Sequence, residues 1–203
     1  MAYSQFTIES LKRKFGLTID EKIDIFAAAP TVAYSDLLTA TLKENVPLAL
    51  AISTEKARSE MIITPMLIEA RRLLNHEISL FSGIEFNIDK ELDLQGFCDY
   101  IISLSAEQIS LSAPVVTLVE AKNEDMRGGL AQCIAEMVAA RMFNQQQNNA
   151  LETIFGVVTT GSNWKFLKLH GQKVFIDLTE YYIKEPGKIL GILLSMIQSA
   201  RAI

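Results

Sequence analysis

The sequence predicts an α/β domain built on a central mixed sheet flanked by helices, with an N-terminal helical extension. Three observations carry that expectation. After residue 74 the apolar period changes: residues 54–74 space their apolar side chains as a helix does, whereas 80–87, 96–104 and 115–121 read as strands. Short turns separate the first strands, which is the connectivity of an antiparallel meander. A helical stretch at 130–143 then precedes another strand-like run at 153–160, and an intervening helix permits a crossover to a parallel partner.

Taken in order, residues 10–15 read as a short helix and 17–26 contain a second short amphipathic stretch. SDLLTATLKE, residues 35–44, is a further helix, with Ser35 or Asp36 as its cap because a short side-chain oxygen accepts from the unpaired first-turn amides. Pro30 and Pro47 punctuate the region, which is too interrupted for a core of its own. In 54–74, Thr54, Ile62, Leu67, Ala70 and Leu74 are interspersed with charged residues. Pro65 inside this helix kinks or divides it, since proline lacks an amide donor and clashes with the preceding turn. The turn around 89–91 joins the first two strands, and 105–113 connect the second to VVTLVEA, a β-branched strand preceded by Pro114. Gly128 and Gly129 introduce the next helix, with Leu130, Ile134, Met137, Val138 and Met142 on its apolar face; NQQQNN, 144–149, follows as a polar linker. Residues 164–169 and 173–176 form a hairpin about His170-Gly171, and Pro186-Gly187 precede a final apolar helix from 189 to 197 or beyond.

With 19 Lys and Arg against 24 Asp and Glu, the formal charge is -5, and 49% of residues are hydrophobic. That composition belongs to a globular chain, not a disordered one. It does not indicate an extended basic surface for nucleic acid, although a local patch is compatible with it. Cys98 and Cys133 lie in apolar segments and are expected to be buried free thiols; their spacing fits no zinc site. The opening MAYSQFTIES lacks the pattern of a secretory signal, and apolar stretches are broken too early to span a bilayer. A protein of a reducing cytoplasm, without a membrane partner, is the expectation.

The chemistry concentrates in two segments. Asp99 lies in GFCDYIIS, where strand alternation puts it on one face with Phe97 and Ile101. A carboxylate in such surroundings needs a partner, either a local hydrogen bond at the strand end or a charge. Glu120 and Lys122 close the run VVTLVEAK, and a spacing of two sets their side chains on one face. They read either as a structural ion pair or, with Asp99 on a neighbouring strand, as two acids and an amine converging at one rim. The second arrangement suits a magnesium-like ion bound by hard oxygens, with a lysine to position water or stabilise charge on a phosphate.

GFCDY, then VEAK, then a helix carrying Gln132 and Glu136, resembles the PD-(D/E)XK nuclease superfamily, also called restriction-endonuclease-like. More particularly, the chain resembles a family of small cyanobacterial proteins built on that fold. The resemblance covers roughly residues 54–165, between an extension at 1–53 and a C-terminal hairpin strand and helix at 166–203, all within one domain over 1–203. It implies an α-β-β-β-α-β core. It implies Asp99 as the first metal-binding acid, Glu120 as the second, Lys122 as the lysine of the motif, and Gln132 as an active-site companion. The proline of the superfamily's name is missing before Asp99, a position that varies widely. The resemblance also places a metal-binding glutamate on the helix before the first core strand. Glu60 matches best and Glu69 is the alternative; nine residues apart, they face different ways.

Gln132 and Glu136, four apart, share a helix face, so Glu136 either orients a partner or lies at the surface. Gly128 and Gly129 either bring amides near a phosphate or simply make the turn. His76 and His170 form no metal pair, Ser105 has no nucleophile context, and Trp164 beside Lys165 and Lys168 belongs to the hairpin core before it belongs to a base. Lys56, Arg58, Arg71, Arg72 and Arg127 are candidate phosphate contacts. The leading expectation is a Mg2+- or Mn2+-dependent nuclease acting on nucleic acid, DNA first, as a homodimer or with a separate recognition partner. The alternative is a non-catalytic nucleic-acid-binding or protein-interaction module on the same fold.

Overall fold

The computed structural model describes residues 3–201. A 3-10 turn at Tyr3–Gln5 leads into α1 (Ile8–Phe15), which Thr7 and Ser10 open with a reciprocal capping box. The chain continues through β1 (Thr18–Asp20), α2 (Asp36–Ile52), α3 (Glu55–Arg58), a π-helical turn (Ser59–Ile63) and α4 (Thr64–Leu73). Next come β2 (Ser79–Glu85), β3 (Phe97–Ser103), β4 (Val115–Ala121), α5 (Met126–Gln146) and β5 (Thr153–Thr159). It ends with β6 (Asn163–His170), β7 (Lys173–Ile176), β8 (Tyr181–Tyr182) and α6 (Pro186–Arg201).

The strands form one eight-stranded mixed sheet in the order β1-β7-β6-β5-β4-β3-β2, with β8 paired to β6. β2, β3 and β4 make the expected antiparallel meander, and α5 carries the chain to β5, parallel to β4. α5 packs on β4 and β5 from one face. On the other, the Tyr100 hydroxyl reaches Ser59 and Thr64, so the π turn and α4 lie there, and α6 packs beside α4. β4 and β5 are consequently buried along their whole length. That is why their sequences are continuous apolar runs instead of alternating ones.

Pro65 divides its helix without breaking it. Proline offers no amide to the carbonyl of Met61, and Asn45 Nδ2 donates to that oxygen instead at 3.0 Å. One turn earlier the helix widens, the Thr64 amide bonding back to Ser59 O. The Tyr100 hydroxyl stands 2.5 Å from Ser59 Oγ and 2.8 Å from Thr64 Oγ1, anchoring the widened turn to β3.

Three local expectations are corrected. The N-terminal extension is not wholly helical: within the amphipathic stretch at 17–26, residues 18–20 form β1, a strand that pairs in parallel with β7 at the sheet edge. The N-terminal region therefore contributes a strand as well as helices. α2 runs through Pro47 to Ile52, because an exposed proline removes only one amide donor; Ser53 then ends the helix in the left-handed region at φ 54°. The 144–149 tract does not begin as a linker. α5 extends to Gln146, and buried Asn144 uses its side-chain amide to bond both Val115 N and Val115 O at 2.8 Å.

Candidate active site

The site grows from the end of β4. Tyr100 is registered opposite Val119, so Asp99 and Glu120, one position further along each antiparallel strand, stand side by side on the α5 face. Here the Asp99 carboxylate takes the next backbone donor, accepting from Ala121 N at 2.8 Å. The local hydrogen bond and the convergence of charges are thus both realised. Lys122, beyond the strand end, still bonds through its amide to Thr159 O of β5 at 2.8 Å, which holds its backbone to the rim.

α5 supplies the facing side chains. Asp125 caps it, accepting from Gly128 N at 2.9 Å, so that amide is committed to the turn and not free for a phosphate. At Gly129 a side chain would meet Val158 Cγ1 at 2.7 Å and Lys122 Cγ at 2.9 Å. Only glycine lets the first turn press onto the sheet with the Lys122 stem between them. Gly156, beneath Met137 and Cys133, permits the same close approach one turn on.

Four side chains then close a ring. The Lys122 ammonium pairs with Glu120 Oε1 and donates to Gln132 Oε1 at 3.3 Å. Gln132 Nε2 donates to Glu136 Oε1 at 3.1 Å, and the Glu136 and Glu120 carboxyl groups face each other. Glu120 is only 1% exposed and Glu136 is fully buried. Burial pushes the Glu120 carboxyl up to about 7, the Asp99 charge adding to it and Lys122 opposing it. Burial, then Glu120, pushes Glu136 well up, so the facing pair retains a proton at neutral pH. Burial raises Asp99 as well, against the Ala121 amide. Burial disfavours the Lys122 ammonium, but Glu120, together with Glu55 and Asp99, outweighs it and holds the amine above its ordinary value.

The helix glutamates are distributed differently from the expectation. Glu60 points outward, 62% exposed and 3.7 Å from Lys56. Glu55, at the start of α3, is the acid whose charge acts on both Asp99 and Lys122. Glu69 is a structural clamp: it accepts from Ser35 N at 2.7 Å and Ser35 Oγ at 3.0 Å, and takes both Arg72 Nε at 3.0 Å and Nη2 at 2.6 Å. It ties the capped start of α2 to α4.

Among the candidate phosphate contacts, Arg58 bonds Thr160 O, Arg71 bonds Ile78 O and Arg72 holds Glu69. Lys56 and Arg127 are exposed, and Arg127 joins Lys12, Thr7 and Phe6 along a cleft of about 570 Å³ beside the start of α5. Glu9, Glu21 and Asp125 line the same cleft and offset its cations. Trp164 is buried in the hairpin, donating to Gly161 O at 2.9 Å, and Lys165 bonds Leu178 O. His76 stands against Arg71 and His170 against Thr153. Both cysteines are buried free thiols.

Among the described residues, no group of three or more His, Cys, Asp or Glu side chains is arranged to hold a metal ion. The chemistry of the rim nevertheless suits a hard divalent cation. Asp99 and Glu120 offer adjacent carboxylates, and the buried Glu120 Oε2 is met by no donor besides the proton shared with Glu136. Magnesium commonly takes one or two carboxylates and fills its remaining positions with water and substrate phosphate. No helix among the described residues is long and apolar enough to cross a membrane. Comparison with protein-family models, curated proteins and solved structures returns no match.

Proposed function

We propose that this chain is a metal-dependent nuclease of the PD-(D/E)XK, restriction-endonuclease-like class, hydrolysing phosphodiester bonds in nucleic acid, DNA first. The observation that carries the reading is the meeting of Asp99, Glu120 and Lys122 at one end of β4, with Gln132 brought to the lysine from α5. The order α4-β2-β3-β4-α5-β5 supports it, being the α-β-β-β-α-β succession that the resemblance implies.

Asp99 and Glu120 would hold Mg2+ or Mn2+, whose contribution when bound is to polarise the phosphate and acidify a water. The protein's own share follows from the ring. Glu120 keeps the Lys122 amine protonated, so Lys122 acts as a donor to water or to charge developing on the phosphate, not as a free base. Gln132 fixes where that ammonium rests, and Glu136 fixes Gln132. Of the candidate phosphate contacts, Lys56 and Arg127 are the exposed ones, with Lys12 beside Arg127 in its cleft; a second copy or separate partner would supply recognition.

One observation favours the alternative of a non-catalytic binding or interaction module on this fold: Glu120 is buried and already neutralised by Lys122. A cleavage panel separates the two readings. Single-stranded, duplex, nicked, flapped and branched DNA, with matched RNA, would be incubated with Mg2+ or Mn2+ and with the wild type, Lys122→Ala or Glu60→Gln. The expected result is metal-dependent cleavage, lost in folded Lys122→Ala and kept in Glu60→Gln. Nucleic-acid binding with no cleavage of any substrate would select the binding module.

A further inference from the structure

We infer that Lys122 is a tethered stand-in for the divalent cation: without metal its ammonium neutralises Glu120, and metal loading moves it onto Gln132. The inference rests on the reading of Asp99 and Glu120 as the metal-holding pair. Glu120 is 1% exposed, and a carboxylate so placed needs a counter-charge. The Lys122 ammonium is the cation paired with it. A divalent ion arriving at Glu120 must therefore displace a positive charge already there.

The second resting place is built. Gln132 Oε1 lies 3.3 Å from Lys122 Nζ, and the Gln132 amide is oriented by its own donation to Glu136 Oε1 at 3.1 Å. That donation turns the carbonyl oxygen towards the lysine. The Lys122 side chain is 20% exposed, so its head can leave Glu120 without crossing the core. Its stem, packed against the Gly129 position, keeps the excursion short. The displaced ammonium would then face incoming phosphate, which couples metal and phosphate binding. A phosphate drawing Lys122 away must tighten metal binding by the same factor with which metal tightens phosphate binding.

The test is calorimetric titration with Mn2+ of the wild type, Lys122→Met, Lys122→Gln and Asp99→Asn. Removing the competing ammonium should tighten Mn2+ binding about 10-fold, because the competent state is no longer taxed by its occupied form. Asp99→Asn should weaken it. Equal or weaker binding by both folded lysine variants would overturn the stand-in role while leaving the metal site intact. Binding absent from every protein, or unaffected by Asp99→Asn, would overturn the metal reading itself and the inference with it. If neither lysine variant folds, the wild-type ammonium decides. Its nitrogen resonance, visible while locked on Glu120, should shift or vanish on Mg2+ saturation, and an unchanged resonance at saturation would refute the exchange.

Discussion

Glu120→Gln is expected to lower cleavage by about 10²–10³-fold, the scale of losing one electrostatic contributor at a reaction centre, while flattening the loss of stability with rising pH. Both effects come from one buried carboxyl. It faces Glu136, and the two carboxyls are raised together, so between 4.5 and about 7 the native pair holds a proton that the unfolded chain has released. Stability must then fall as pH rises through that window and remain lower above it. At about 1.4 kcal/mol per unit the effect is on the order of a few kcal/mol, reduced by the ion pair that the glutamine no longer makes with Lys122. Thermal unfolding of both proteins from pH 5 to 8 reads the difference. The midpoint of the variant should gain on the wild type by about 4–8 °C across the series. Parallel curves would mean that the Glu120–Glu136 pair holds no extra proton in the native state.

Glu69→Ala is expected to weaken the fold by about 2–3 kcal/mol, the scale of losing charge-assisted hydrogen bonds to a buried carboxylate. The change removes four acceptor contacts, two to Ser35 and two to Arg72, and so unties the start of α2 from α4. Urea titration at pH 7 measures the loss directly. The acid limb supplies a second signature. The Arg72 guanidinium, assisted by the Ser35 donors, holds this carboxyl down at about 2, below the ordinary 4.5. Its contribution is present above pH 4.5 and disappears as the pH falls towards 2. The difference between wild type and variant should therefore shrink over that range. Because Arg72 is half exposed, solvent screening limits this acid-sensitive part to about 1–2 kcal/mol.

The strands around the site were legible because their signals are local. VVTLVEA is β-branched and apolar on both faces, and the two-residue spacing of Glu120 and Lys122 survives any detail of packing. That Gln132 and Glu136 share a face was legible through helical spacing, while Gln132's place beside the lysine came from the resemblance; the sequence left Glu136 open between a partner-orienting residue and a surface one, and the structure makes it fully buried. What failed was what depends on distant or irregular structure. β1 is three residues long and finds its partner near the other end of the chain, so it leaves no periodic trace. The π turn at Ser59–Ile63 breaks the uniform phase that a 3.6-residue period assumes, and Glu55 instead of Glu60 comes within electrostatic reach of Asp99. Asn144 looked like the start of a polar tract, yet its side chain completes the hydrogen bonding of Val115 across 29 residues of sequence.

The central claim is that Asp99 and Glu120 together hold a divalent cation, and anomalous scattering from a Mn2+-soaked crystal tests it most directly. The expected result is a manganese peak in contact with both carboxylates and Lys122 released from Glu120. A peak elsewhere, or no peak at saturating Mn2+ with Lys122 still paired to Glu120, would contradict it.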